Sequence, residues 1–511
     1  MRRVLTLTLM GLMVTAGVAS AQVAPATVAA SSDNSISRSI ATTAFPTASP
    51  AGADKADKSD RAADAPRADA QQSGGGSTPD SPLAIHVGAA DLLIGGFMDM
   101  TAIMRNTATG NGIGTNFSNF PFTTTATGAP NPTGNLSETR FSAQNSRVTL
   151  QATSKVGSAS LKGYIESDFL GNTAQNLNVT SNSDGLRMRL YWAQYTQGKF
   201  EFLAGQSWSM MTPNRNGISP APGDLFYSQD VDTNYQMGLP WGRTPGFRFI
   251  AHASDVVTAG IGLENPQQYT GGVVVLPAAF TAAEVDTGSG SSAVGSSSPT
   301  PNAFPDFIGK LALDPKTGKT HQHIDVAVQA SGYKTFNPTT STTNTLTGTG
   351  ESVNFVLEPV PNLRLIATNY FSQGAGRIIA NTGAPDFIVN PDFSMTAVNA
   401  FAGIYGIEAT VKKSLVYGYY SQTTIDQTLT KDANGTTSIG YGVAGSQAAN
   451  HKIQETTVGL TQTFFRDPKI GGMQLMLQFS NLKRTPFSVP VGTPASATIN
   501  MLYVNVRYIL P

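Results

Sequence analysis

From about Asp91 onward the apolar residues recur at every second position, and this period of two restricts the fold more than any other feature. Val148, Leu150 and Ala152 alternate with Arg147, Thr149, Gln151 and Thr153. Ile324, Val326, Val328 and Ala330 alternate with His323, Asp325 and Gln329, and Met473, Leu475, Leu477 and Phe479 with Gln474, Gln478 and Ser480. Leu502, Val504, Val506 and Tyr508 alternate with Tyr503, Asn505 and Arg507. Successive side chains of a strand point to opposite faces, so each segment has one apolar and one polar face. A soluble antiparallel sheet carries the same local signal, and the links between segments decide between the two. Sixteen segments start near residues 92, 139, 158, 184, 200, 229, 245, 304, 320, 349, 361, 397, 414, 451, 472 and 497. Short links fall at 156–157, 197–199, 240–245, 315–319, 360–361, 412–413 and 467–472. Long links fall between them, reaching about fifty residues around 260–301. A membrane barrel with tight periplasmic turns and long outer loops produces this alternation, and a soluble sandwich has no reason to. The expected fold class is all-β: a transmembrane antiparallel up-and-down β-barrel of about 16 strands, occupying residues 89–511.

The N-terminus fits an exported barrel. Arg2 and Arg3 precede a mostly apolar run over 4–18, and Ala19-Ser20-Ala21 is a small-residue cleavage site, so residues 1–21 read as a signal peptide. Residues 22–88 are rich in Ala, Ser, Pro and Asp without apolar periodicity, which predicts a low-complexity periplasmic extension. Loss of Arg2 and Arg3 leaves 31 basic against 33 acidic residues. A nucleic-acid partner calls for a basic excess and is excluded on that ground. There is no cysteine, hence no disulfide framework, and charged residues make up 13 % of the chain against ~25 % in soluble proteins. No stretch approaches the ~18 apolar residues of a membrane helix, and a closed barrel is the other structure that crosses a bilayer. The expected location is the bacterial outer membrane, with its lipid as the outward partner. The segments 281–301 and 336–350, dominated by Gly, Ser, Thr and Asn, are expected as solvated outer loops.

Several motifs resemble the DcaP-like family of outer-membrane porins. They are GFMDM at 96–100, FSAQNSRVTLQATS from Phe141, GYIESDF at 163–169, RMRLYWAQY from Arg187 and AGQSWS at 204–209, in the family's order over about 120 residues. The resemblance implies a homotrimer of sixteen-stranded barrels passing small solutes, anionic ones included. The chain departs from the family in lacking a heptad-patterned helix ahead of the barrel and in ending on Tyr508-Ile509-Leu510-Pro511 rather than on an aromatic residue.

Face assignment nominates lumen residues. With Val148 and Leu150 toward lipid, Arg147 faces inward; with Leu161, Gly163 and Ile165 outward, Lys162, Glu166 and Asp168 face inward. A two-residue turn at Val156-Gly157 sets Arg147 opposite Glu166, a pairing worth a few tenths to ~1 kcal/mol. Leu186, Met188, Leu190 and Trp192 are expected as a lipid row, leaving Arg187, Arg189 and Tyr191 inside. A lipid-facing arginine at the midplane costs ~2–4 kcal/mol, which demands the inward placement. These charges either select ions and orient dipolar solutes or simply pair on a wet wall. The segment 208–229, rich in Pro, Asn and Gly, is expected to fold into the barrel as a constriction, with Arg215 and Asp224 lining it; an outward cap is the alternative. Trp192, Phe200, Phe202, Tyr503 and Tyr508 fit the headgroup zone, with a lumen position open for Tyr503.

Catalytic readings find little support. His321 and His323 share a face with Asp325 but read as polar lining before they read as a metal site. His252 and His451 show no convergence with a serine and an orienting acid, and the glycines at 110–114 lack a strand–helix setting for phosphate. The reading is therefore a non-enzymatic porin, without cofactor or metal, for passive diffusion of small hydrophilic solutes. Its rivals are a substrate-specific uptake channel with a saturable site, and a structural or adhesive barrel with a plugged lumen.

Overall fold

The computed structural model describes residues 81–511 except 111, 172–182, 222–224, 233–234 and 289–299. The expected signal peptide and all but the last few residues of the 22–88 extension lie outside the described residues.

Sixteen strands form the wall: β1 Ala90–Arg105, β2 Arg147–Val156, β3 Ala159–Asp168, β4 Arg187–Gln197, β5 Phe200–Trp208, β6 Arg243–His252, β7 Val257–Glu264 and β8 Phe304–Leu313. The second half continues with β9 Thr320–Asn337, β10 Thr342–Val360, β11 Leu363–Gln373, β12 Asn399–Val411, β13 Ser414–Ile425, β14 Asn450–Asp467, β15 Gly471–Pro486 and β16 Ala497–Ile509. Each strand pairs antiparallel with the next, and β16 returns to β1 through Ile509 opposite Phe97 and Met501 opposite Arg105. The sheet is thus closed, which removes the unpaired edges that no bilayer tolerates.

The two faces have the polarity of a protein turned inside out. Met98, Val148, Ile165, Phe202, Phe247, Ile261, Val326, Ile407, Val458, Leu477 and Val506 are exposed on the outer surface. Gln151, Gln329, Ser352, Asn354, Thr368, Ser421, Thr457, Gln478 and Asn505 are buried on the inner one. A continuous apolar belt of this kind has lipid as its solvent. No helix among the described residues is long and apolar enough to cross a membrane.

The strand count agrees with expectation through two errors that cancel. The segment from 229 is not a strand but part of the long link 209–242, and 240–245 is not a turn but the entry to β6. The strand β7 was hidden inside the expected long link. Its inward positions are Thr258, Gly260, Gly262 and Glu264, so through the middle of the strand the apolar row alternates with glycine and the polar signal remains only at the ends. A Cβ at those glycines would lie 2.9 Å and 2.7 Å from Met210, whose side chain presses on the strand. The expected loop 336–350 is mostly strand: β9 and β10 extend to Asn337 and from Thr342, joined by four residues. Threonine is β-branched, and its abundance there favours extended backbone over loop.

Candidate functional site

The 209–242 link turns into the barrel and follows its inner wall. Pro213, Asn214 and Gly217 break any strand pattern, and Gly217 takes a left-handed φ of 55°. At its start Lys310 Nζ on β8 donates to the Thr212 carbonyl (2.6 Å) and to Asn214 Oδ1 (2.7 Å), while the Asn214 amide donates to Asp325 Oδ2 on β9 (2.9 Å). Arg215 then forks onto Glu408 of β12, at 2.8 Å and 2.5 Å. Further on, the Gln229 amide donates to Gln478 of β15 (2.8 Å), and the Tyr503 hydroxyl of β16 donates to the Asp230 carbonyl (3.0 Å). Gln236 Nε2 donates to Glu455 of β14 at 2.8 Å. Other outer links add apolar contacts. Ile113, Phe117, Phe120 and Phe122 pack with Met237, Ile499 and Tyr503, and Ile378 and Ile379 pack with Met210 and Met211 in another cluster.

The sequence-nominated charges meet on β2, β3 and β4. Arg187 donates through Nε and Nη2 to both oxygens of Asp168, at 2.9 Å and 2.6 Å. Arg189 donates to Glu166 and to Asp168, each at 2.5 Å. Arg147 Nη1 lies 3.4 Å from Glu166. All three guanidinium groups converge on Asp232 of the inward loop: Arg187 at 3.1 Å, Arg147 at 3.5 Å, and Arg189 in direct contact. Burial pushes the Asp232 carboxyl up, but Arg189, Arg147 and Arg187 outweigh it and hold it well below the usual carboxylate range. Three guanidinium groups thus face three carboxylates. Removing one member of such a buried set leaves a partner uncompensated, at about 3–5 kcal/mol.

Two details differ from the sequence reading. The turn after β2 uses Gly157 (φ 61°) and Ser158 rather than Val156-Gly157, so Arg147 stands opposite Asp168 and Thr149 opposite Glu166. The slip is of two residues, which preserves the face, and Arg147 reaches Glu166 diagonally. A bulge in β4 also makes Glu166 pair with Leu190 and Ser167 with Met188, leaving Arg189 as the extra residue. A bulge reverses the alternation beyond it. Leu190 and Trp192 therefore turn inward, where Trp192 stacks on Tyr164 at 5.2 Å, and Tyr191 turns outward with 54 % exposure. Tyr503 faces inward and is fully buried, while Phe200 and Phe202 face outward.

Of the nominated residues, Arg147, Glu166, Asp168, Arg187 and Arg189 come together; Arg215 lies apart on Glu408, and Asp224 lies outside the described residues. Sequence reasoning missed Asp232, Glu408 and Glu455, and placed Asp230 beside the candidate constriction without giving it a role. Glu408 and Glu455 sit at inward positions of recognisable strands, a signal that face assignment carries, whereas the return path of a loop leaves no periodic trace. His323 is clasped between Asp314 (2.7 Å) and Asp325 (2.8 Å). Among the described residues no group of three His, Cys, Asp or Glu is arranged to hold a metal ion.

No protein-family model matches the chain, and no curated protein matches it. Among solved structures, the outer-membrane channel DcaP of Acinetobacter baumannii aligns over 83 % of this chain and 98 % of its own, with 17 % identity and a TM-score of 0.60. The anion-selective porin from Comamonas acidovorans aligns over 82 % and 99 %, with 11 % identity and a TM-score of 0.44. The chain shares with DcaP the fold of a closed antiparallel β-barrel.

Proposed function

We propose that the protein is a porin of the bacterial outer membrane, passing small hydrophilic solutes, anions included, by passive diffusion through a charged lumen. The observation that carries this reading is the pairing of an apolar outer belt with a polar inner wall, along which the inward loop is held by ion pairs and hydrogen bonds. A loop so fixed sets the width of a wet passage, and the charges beside it set its preference. The residues we propose to border the passage are Arg147, Glu166, Asp168, Arg187, Arg189, Arg215 and Asp224, and to these we add Asp232, on which three of the arginines converge. Diffusion down a gradient needs neither cofactor nor energy source.

A homotrimer fits the outer surface. Strands β4 to β6 carry Tyr191, Tyr195, Phe200, Phe202, Phe247 and Phe249 outward. Strands β1 to β3 present Met98, Met100, Met104, Val148, Leu150 and Ile165 with Ala152 and Gly163, and an outward aromatic occurs there only above β2, at Phe141. Aromatic girdles mark lipid contact, so a sector without them suits a neighbouring protomer. The expected leader places the mature N-terminus at Gln22, which sequencing of the exported protein reads directly.

A second reading is a barrel closed to solutes, favoured by the apolar packing of residues 113–122 and 376–389 against the inward loop and wall. Swelling of proteoliposomes in sugars of graded size separates the two. Entry that falls with solute size supports the porin, and exclusion of the smallest sugar supports the closed barrel.

A further inference from the structure

Beyond the arginine cluster the inward loop meets the wall again through two carboxylic acids. Asp230 belongs to the loop and Glu455 to β14; the two are within hydrogen-bond reach of each other and both are sealed from solvent. Each spends one oxygen on neutral donors. Asp230 Oδ1 accepts from Gln478 Nε2 (2.8 Å), and Glu455 Oε2 accepts from Gln236 Nε2 (2.8 Å) and from the Met237 amide (3.0 Å). The other oxygens, Asp230 Oδ2 and Glu455 Oε1, are buried with no donor among the described residues.

The charged and titratable groups around the pair are committed elsewhere. Arg105 of β1 is engaged by Glu138 (2.7 Å) and Thr115 (3.1 Å), and Arg507 of β16 by Asp99 (2.8 Å). Tyr503 of β16 donates to the Asp230 carbonyl (3.0 Å), and Tyr417 of β13 to Gln478 (3.2 Å). The facing groups of β15 are the neutral Gln478 and Ser480. Among the described residues neither carboxyl has an ion-pair partner. Two bare carboxylates this close cannot both stay ionised, whereas one shared proton gives both orphan oxygens a partner.

We propose that Asp230 and Glu455 share a single proton and form an acid-held latch, which seats the inward loop on β13–β15 and releases it when the proton is lost. Burial pushes the Asp230 carboxyl up to about 6, in the direction the latch requires. The seated state binds the proton more tightly than a solvated loop does. Its stabilisation is therefore full below the ordinary aspartate range and is lost as pH rises beyond the raised range in which the coupled pair still holds its one proton. The segment freed is the one that carries Gln236 and Met237, whose donors lie on Glu455. The latch rests on the channel reading for its electrical consequence only.

The test uses the full-length protein and the isosteric variants Glu455→Gln and Asp230→Asn, checked for heat-modifiable folding. In either variant an amide donates to the remaining carboxylate, and the seat no longer needs a proton. Infrared spectra of the wild type near pH 6 should contain the carbonyl band of a protonated carboxyl group that fades as the pH is raised and is missing in both variants. In planar bilayers the wild-type current should grow noisier as the pH is raised over the same range while the variants stay steady. A band that is unchanged by both substitutions overturns the latch, even if the bilayer is silent. Equal pH dependence of the current in wild type and variants overturns it too. Release of the loop by a chelator at constant pH assigns the pair to a divalent cation, which likewise rejects the shared proton.

Discussion

Arg215, near the start of the inward loop, closes a two-pronged ion pair on Glu408 of β12, nearly opposite the strand from which the loop departs. The Tyr419 hydroxyl donates to the same carboxylate at 2.7 Å, and Arg364 lies 3.4 Å from it. Replacing Arg215 by alanine leaves a buried carboxylate short of its main partner, at about 3–5 kcal/mol. The loop should detach locally while the wall persists. Single-channel recordings of Arg215→Ala should show larger and more variable conductance, with the heat-modifiable barrel band intact.

The cluster of Arg147, Arg187 and Arg189 with Glu166, Asp168 and Asp232 is balanced in charge, so removing either sign should tilt the passage in a defined direction. Arg187→Ala should shift the reversal potential in a salt gradient toward cation preference, and Asp232→Asn toward anion preference. Both shifts should shrink as salt rises, because mobile ions screen charges beyond ~10 Å at 0.1 M.

The same cluster makes a statement about pH. Because the Asp232 carboxyl is held well below its ordinary range, the loop contact it makes is present above that range and is lost only as pH falls through the depressed value. On the acid side, where the Asp230–Glu455 latch stays seated, ion selectivity should therefore stay flat from pH 6 to 3 in the wild type. Selectivity that titrates near an ordinary aspartate value would contradict the convergence of the three arginines on Asp232.

Gly205 of β5 has a φ of 133°, and a Cβ there would lie 2.3 Å from the Tyr191 carbonyl on β4. Gly205→Ala forces backbone apart beside the β4 bulge and carries strain on the order of 1–3 kcal/mol. The variant should unfold from its heat-resistant form at lower temperature than wild type on gels, with single-channel current unchanged in the molecules that do insert.

Much of the barrel is legible in the chain because lipid and lumen impose opposite demands on adjacent residues. Val148 and Arg147, or Val506 and Arg507, disclose their faces at once. The reading fails where another force replaces that alternation. At β7 the inner face yields to Met210, so glycines stand where polar residues were sought. At β4 one extra residue turns Trp192 from lipid to lumen. The nominated charges on the wall follow from periodicity, but their acceptor Asp232 does not, since its position depends on the course of a loop fixed by contacts far apart in sequence. The threonine-rich top of β9 and β10 shows the opposite case, in which composition suggested a loop and backbone preference made a hairpin.

Shortening the inward loop by joining residue 210 to residue 240 removes Arg215, Asp230 and Asp232 together. If the loop sets the width of the passage, conductance of the shortened protein should rise several-fold and large sugars should enter proteoliposomes. Conductance equal to that of the wild type would place the narrowest point elsewhere.

The central claim is an open, charge-lined passage, and single-channel conductance in a planar bilayer under a salt gradient tests it most directly. The account predicts a steady ohmic current, inserted in threefold steps, whose reversal potential moves in opposite directions in Arg187→Ala and Asp232→Asn. A silent bilayer from correctly folded, heat-modifiable protein would contradict it and leave the closed barrel standing.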